Sequence, residues 1–365
     1  MNRIIAMDAI RGFALLGLLS MNMVHMANFE LGYVPAQTAH YLDPFFAMVN
    51  SIFFDGRFRT LFAMLFGAAL CIQVAKTDDQ SLARHRLTWL MVFGVLHGVL
   101  VWPGDILFNY ALSGFVALRF IDASDKKLNR YAIGFILVPS IAISLLLLID
   151  PEPQINRTSE VYLEFLQQIP ASYLELLTLN GLYFIIISLL IPVITLWYTA
   201  GLMLLGMRLY RSGMFDLERT EPVHKINLFA VIAIILSFVG FVLERKLGVE
   251  FFEGIDWILA IPVALFYVVV IKAAMRGAKH QLWSLQCVGR LALSFYLLQS
   301  IVFVSYFYFI NPNAISTWER VDYFSAFVIA SIIQLALASI YFKLFKQGPF
   351  EKLLKLLVIR RARYD

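Results

Sequence analysis

The sequence predicts an all-α polytopic membrane protein: a transmembrane helical bundle of about ten spans with both termini cytoplasmic. Three observations lead there. First, 60% of the 365 residues are hydrophobic and only 15% are charged, whereas a soluble domain carries about a quarter charged residues. Second, the apolar residues form unbroken blocks, and about 20 apolar residues cross a bilayer as helix. A β-barrel would show short alternating segments instead. Third, basic residues alternate between the connecting segments. The mean hydropathy is +0.76.

In chain order the spans are expected near 8–28, 56–75, 87–102, 106–121, 131–149, 178–207, 226–243, 256–275, 289–310 and 322–345. The first apolar block starts almost at the N-terminus and shows no small-residue cleavage site, so it reads as an uncleaved span rather than a signal peptide. With that terminus inside, inner segments carry Arg3 and Arg11; Lys76, Arg84 and Arg86; Arg119, Lys126, Lys127 and Arg130. They continue with Arg208, Arg211, Arg219 and Lys225; Lys272, Arg276, Lys279 and Arg290; and the basic residues after 342. The positive-inside rule then sets the orientation. This distribution accounts for the net charge of +5 without nucleic acid; the partner it implies is the lipid bilayer.

The whole chain, 1–365, reads as a single integral membrane domain with three special segments. Residues 41–55, "YLDPFFAMVNSIFFD", are too short for a span and form an interfacial or re-entrant lead-in. Segment 150–177 is acidic and outer, with Val161, Phe165, Leu166 and Ile169 at helical spacing. It is either an amphipathic helix on the outer surface or a small packed cap. The tail, 346–365, is a basic amphipathic stretch expected to lie on the anionic inner leaflet. Cys71 and Cys287 both fall toward the reducing side and read as small buried residues with no bond.

Ionisable groups inside spans are costly, so each needs a local reason. Asp8 and Arg11 are one helical turn apart and can pair; Asn22 and His25 repeat that spacing. Arg11 to Asn22 is about three turns, so all four share one stripe, facing a bundle interior or a cavity. In "FFDGRFRTLF", Arg57 and Arg59 point in different directions. Either one pairs with Asp55 while the other faces a cavity, or both snorkel. His97 lies roughly 7 Å below the outer end of its span. Trp102-Pro103-Gly104 turns the chain, and Asp105 opens the next span as a helix cap. His97 is then either a neutral interhelical hydrogen-bonding group or a general base in an outer-facing cavity, with Asp105 orienting it. "GRLALSFYLLQS" carries Ser294, Tyr296, Gln299 and Ser300 into the membrane. The serines suit interhelical contact; Tyr296 and Gln299 join His25, Arg57 and Arg59 as candidate substrate-binding groups. Arg290, Arg86 and the basic tail form either an inner anion site or a solvated face. Phosphate-loop, HExxH and GxSxG motifs and zinc-ligand spacing do not occur, so neither a metal nor a permanently bound cofactor is expected.

Five stretches occur in order: "DAIRGFALLGLLSMN" (8–22), "GRFRTLFAMLFGA" (56–68), "RLTWLMVFGVLHGVLVWPGDIL" (86–107), "GRLALSFYLLQS" (289–300) and "QGPFEKLLK" (347–355). Together they resemble the YeiB-like family of bacterial inner-membrane proteins. Arginine-glycine near the inner end of the first helix, with a polar residue eleven positions later, is also similar to the transmembrane acyltransferases. These include the bacterial acyltransferase-3 proteins and the lysosomal heparan-glucosaminide N-acetyltransferase. That resemblance implies transfer of an acyl group from cytoplasmic acyl-CoA to an acceptor, often a sugar, at the opposite face. It puts Arg11 on the donor side and Asn22 where the acyltransferase-3 proteins have histidine. Asparagine cannot be that base, although the acetyltransferase also has it there. The role would pass to His97, which lies inside a YeiB-like stretch, whereas His25 does not.

The enzyme reading joins both ends of the bundle. Arg11, Arg86 and Arg290 would meet the phosphates of an acyl-CoA donor substrate. His97, oriented by Asp105, would deprotonate the outer acceptor while Asn22 donates to the developing oxyanion. A transporter or permease for a small or lipid-linked substrate also explains polar stripes. However, Pro139, Pro192 and Pro262 show no internal repeat of the kind transporters carry. A non-catalytic membrane scaffold is the third reading.

Overall fold

The computed structural model describes residues 5–38, 40–77, 79–219, 222–276 and 282–361. Arg3, Lys279 and the last tail residues, 362–365, lie outside the described residues. Helix α1 (Ile5–Ala27) is followed by the lead-in, α2 (Asp43–Val49) and a π-helical turn (Asn50–Phe54). Gly56, at φ 72°, turns the chain into α3 (Arg57–Thr77) in a conformation that only glycine adopts without strain. Then come α4 (Ser81–Leu100), α5 (Ile106–Leu118), α6 (Asp125–Ile149), α7 (Glu160–Gln167), α8 (Tyr173–Ile194) and α9 (Leu196–Arg211). The chain closes with α10 (Val223–Leu247), α11 (Glu253–Met275), α12 (Trp283–Arg290), α13 (Ala292–Ser305), α14 (Ala314–Thr317), α15 (Arg320–Leu344) and α16 (Pro349–Arg361).

Among the described residues, 8 helical stretches are long and apolar enough to cross a membrane. Two further passes, α4 and α5, complete the alternation expected from sequence. Helix α4 opens on Arg84, His85 and Arg86, and α5 has only 13 residues, about 20 Å against a hydrocarbon core of about 30 Å. Hydrogen bonds gather the loops at two ends. At the basic end Gln80 donates to Asp122 (3.0 Å), Arg211 to the Ala123 carbonyl (2.6 Å) and Lys272 to the Met214 carbonyl (2.8 Å). At the opposite end Arg157 donates to the carbonyls of Val34 (3.0 Å) and Ser316 (2.6 Å). There too the two-residue strands β1 (Glu152–Pro153) and β2 (Val249–Glu250) pair antiparallel.

Helices α1, α3, α9, α11 and α12 make the interior, while α6, α8, α10 and α15 turn apolar faces outward, including Val138, Leu189, Leu228 and Ile332. Without water to hydrogen-bond, only helices satisfy their own backbone in lipid, so such faces suit a bilayer. The single span expected over 178–207 is two helices meeting at Thr195, three residues after Pro192. Proline removes an N–H and clashes with the preceding turn; beyond the break the chain turns inward, and Tyr198 to Leu204 is buried throughout.

Where α1 crosses α12, a Cβ on Gly12 would lie 2.0 Å from the Leu285 carbonyl oxygen, and one on Gly289 would lie 1.8 Å from that of Asp8. The two backbones touch, and no larger residue fits.

Segment 150–177 takes the packed-cap form. In α7 Tyr162 is buried, and Phe165, Leu166 and Ile169 pack beside Trp102 and Phe307, leaving Val161 outside. The tail is helical, as its pattern predicts, with one face on the protein and Leu353, Leu356 and Ile359 turned outward. Helix α16 docks on α4 and α13 with Leu354 and Val358 buried. Its Glu351 accepts the N–H groups of Leu293 (2.9 Å) and Ser294 (3.0 Å) and the Ser294 hydroxyl. Those are the otherwise unpaired donors of the first turn of α13, so the carboxylate anchors the helix.

The outer arginines also differ from expectation. Arg57 is fully buried, and its terminal nitrogens are taken up by protein groups. It grips the carboxylate of Asp256, not that of Asp55, with both terminal nitrogens, and donates to the Ser237 hydroxyl (2.7 Å) and the Asp55 carbonyl (2.6 Å). It ties α3 to α10 and α11.

Two outcomes follow for detergent-solubilised protein monitored by thermal unfolding. Gly12→Val lowers the midpoint sharply or abolishes folding, because backbone carbonyls cannot yield as side chains do; an unchanged midpoint would contradict the close crossing. Arg57→Met costs about 1–3 kcal/mol by leaving the partly buried Asp256 carboxylate without its partner, and adding Asp256→Leu recovers part of the loss. If the single variant unfolds like wild type, the ion pair is not the tie described.

Candidate functional site

The glycine crossing sets the mouth of a cleft. Arg11 precedes Gly12 and Arg290 follows Gly289, so the contact that joins α1 to α12 brings both arginines to one hollow of about 700 Å³ at the basic end. That size falls within the range of small-molecule sites, about 300–1,000 Å³. Arg86 from α4 enters the same space, with Lys76 from α3 and Lys355 from α16; the acidic members are Asp8 and Glu351. Deeper, the walls are apolar. Phe62, Leu65, Phe66, Ala69 and Ile72 line it from one face of α3 at helical spacing, opposite Leu90, Ile106 and Leu293.

The arginines are held, each differently. Arg11 Nη1 lies 3.4 Å from Asp8 Oδ1, the pair expected from their spacing. Arg86 donates to Gln73 Oε1 (3.2 Å), and its charge lies within electrostatic reach of Arg11. The Arg290 guanidinium sits 4.1 Å over the Phe342 ring, a cation–π contact that fixes its plane.

Tyr296, 3% exposed, is part of the cleft wall beside Ile106 and Leu107. Its hydroxyl accepts the Ile106 N–H (3.0 Å) and donates to Asp105 Oδ1 (3.3 Å). The same Oδ1 lies 2.9 Å from His97 Nδ1, while Oδ2 accepts the Phe108 N–H (2.8 Å). Asp105 is therefore at once the cap of α5 and the partner of His97. Both side chains are essentially sealed, 2% and 0% exposed. His97 Nε2 is buried and has no hydrogen-bond partner among the described residues.

This arrangement corrects the outer-facing cavity expected at His97. The hollow behind Trp102 at the opposite end is about 20 Å³, room for about one water, and His97 does not line it. Because α5 is short, Asp105 sits deep within the bundle, and the approach to it runs from the basic end. Gln299 is likewise committed elsewhere: its amide donates to Gln334 Oε1 (2.9 Å), joining α13 to α15.

Toward the opposite end, Asn22 and Arg59 each keep a buried nitrogen without a hydrogen-bond partner among the described residues, Nδ2 and Nε respectively. Arg59 lies 5.5 Å over the Trp257 ring. Asp55 and Arg59 are within electrostatic reach of His25, whose carbonyl accepts the Trp102 indole N–H (3.2 Å). Asn22 makes no hydrogen bond to the His97 group, so the two are not brought into one site. Among the described residues no three metal-ligating side chains converge.

Sequence reasoning missed Gln73 and Glu351 as cleft residues, while Lys355 belongs to the basic tail expected beside Arg86 and Arg290. Glu351 lies in "QGPFEKLLK", where proline at the first helical position followed by an acid in the first turn signals a capped helix start. Only the tertiary contact with α13 turns that signal into a wall of the cleft.

Residues 209–361 match the family described as protein of unknown function (DUF418). The chain is 26% identical to the uncharacterized protein YeiB of Escherichia coli K12, over 99% of this chain and 98% of that one. It is 26% identical to the uncharacterized protein YxaH of Bacillus subtilis 168, over 96% and 92%. An uncharacterized 39.9 kDa protein encoded in the amylase 3′ region of Bacillus acidopullulyticus is 29% identical over 42% of this chain and 43% of its own length. No solved structure matches. The DUF418 match covers α10 to α16, and the similarity to YeiB and YxaH extends over nearly the full length of each chain.

Proposed function

We propose that this chain is an acyltransferase of the bacterial inner membrane. It takes a coenzyme-A-type acyl donor into the basic cleft from the cytoplasm and passes the acyl group to a hydroxyl or amine acceptor that meets it beside Tyr296. One observation carries the reading: Arg11, Arg86 and Arg290, from three helices, line one cleft whose wall includes Tyr296, hydrogen-bonded to Asp105 and so to His97. Arginine forks match phosphate oxygens in pairs. The apolar depth suits the less polar part of such a donor. A permease would use the same cleft but release its ligand unchanged.

Titration of the detergent-purified protein with acetyl-CoA tests the donor. Saturable binding is expected, weakened about tenfold or more by Arg86→Ala or Arg290→Ala, since a hydrogen bond to a charged group contributes about 1.5–3 kcal/mol. Raising the salt weakens it further. No saturation up to millimolar donor would overturn the reading in favour of the permease.

A further inference from the structure

We infer that Tyr296, rather than His97, is the group that meets the substrate, with Asp105 as its proton acceptor and His97 as a positioning residue. The inference rests on the acyltransferase reading of the cleft and assigns its chemistry to one side chain. Tyr296 belongs to the cleft wall; Asp105 and His97 do not. A ligand in the cleft therefore touches the triad only through the tyrosine.

Hydrogen-bond capacity points the same way. A phenol has one donor and two acceptor sites. The donor is spent on Asp105 and one acceptor on the Ile106 N–H, 3.0 Å away. One acceptor site remains for an incoming O–H or N–H. Asp105 Oδ1 lies within hydrogen-bond distance of both Tyr296 Oη and His97 Nδ1, while Oδ2 accepts the Phe108 N–H, so the carboxylate is fixed against the phenol and is the one side chain placed to take its proton. His97 has the opposite geometry: Nδ1 faces Asp105, and Nε2 is enclosed with no hydrogen-bond partner among the described residues.

The step balances as follows. The acceptor's oxygen or nitrogen forms a bond to the thioester carbonyl carbon as its proton passes to Tyr296 Oη. Tyr296 hands its own proton to Asp105 Oδ1. The tetrahedral adduct collapses by breaking the C–S bond, and the leaving thiolate recovers the proton through Tyr296. Asp105 is left charged and Tyr296 protonated, as at the start. His97 keeps its Nδ1–H on Asp105 throughout and exchanges no proton.

The test uses acetyl-CoA as donor, with water, glycerol and ethanolamine as acceptors, and measures donor binding and free-thiol release separately on the purified full-length protein. Tyr296→Phe is expected to bind within twofold of wild type while release falls at least a hundredfold, the lower range of general acid–base catalysis at about 10²–10⁴. His97→Asn keeps an N–H for Asp105 and is expected to retain release within about tenfold, whereas His97→Ala loses it. Asp105→Asn changes the pH profile of release, which a purely structural substitution leaves in place. Wild-type release by Tyr296→Phe, or His97→Asn as inactive as His97→Ala, overturns the inference and leaves the donor reading standing. A wild type that binds no acetyl-CoA, or binds it and releases no thiol with any acceptor, overturns the reading and the inference with it.

Discussion

The contact between α1 and α12 at Gly12 and Gly289 is the constraint on which the site depends. In a bilayer there is little hydrophobic gain in burying one apolar helix against another, so close backbone approach through small residues supplies the packing. Here that approach is closer than any side chain allows, and it governs chemistry as well as stability. Each glycine has an arginine as its neighbour in sequence, Arg11 before one and Arg290 after the other. Fixing the crossing point fixes the spacing of two charges on the cleft wall. A second crossing of the same kind, Gly67 and Gly206 against the carbonyls of Met203 and Met64, pins one face of α3 to α9. It leaves Phe62, Phe66, Ile72 and Gln73 to form the opposite wall.

Helix α5 shows how a carboxylate survives deep in such a bundle. A full-length helix would have carried its first turn out to the membrane surface; 13 residues leave it inside. The N-terminus of a helix presents unpaired N–H groups and a partial positive charge, so Asp105 meets a requirement of the backbone while its other oxygen serves the side-chain triad. Gly94 makes this possible from the neighbouring helix, since a Cβ there would lie 2.6 Å from Asp105 Oδ2. The run from Gly94 through His97 to Asp105 is thus one structural unit: a helix that yields space, a histidine, a tight turn and the cap.

Much of this was legible in the sequence because it follows from local rules. Basic residues on alternate segments gave the alternation of passes, and i,i+3 spacing gave the Asp8–Arg11 pair. The position after the Trp102–Gly104 turn gave the Asp105 cap. What was not legible depends on partners distant in sequence. Nothing near Arg57 says that its carboxylate is Asp256, since Asp55 is closer along the chain. The direction from which His97 is approached depends on the shortness of α5, which a hydropathy profile blurs by extending the apolar block to residue 121. The tail's amphipathic pattern does not say which residues dock, because the donors that Glu351 meets at the start of α13 are distant in sequence.

Those donors also explain why anion binding in the cleft falls to side chains. The break at Leu291 between α12 and α13 creates a helix N-terminus at the cleft wall, the usual place for backbone to hold a phosphate. Glu351 already occupies it, and its charge offsets the partial positive charge of the helix end. The attraction for an anion in the cleft therefore comes from side chains: Arg11, Arg86 and Arg290, with Lys76 and Lys355. The arginine on α12 is set by the glycine crossing, and the helix wall that shields the α13 terminus is set by Glu351. One broken helix thereby divides the labour: its first half presents a cation to the cleft, and its second half is closed to anions and carries Tyr296 inward to Asp105.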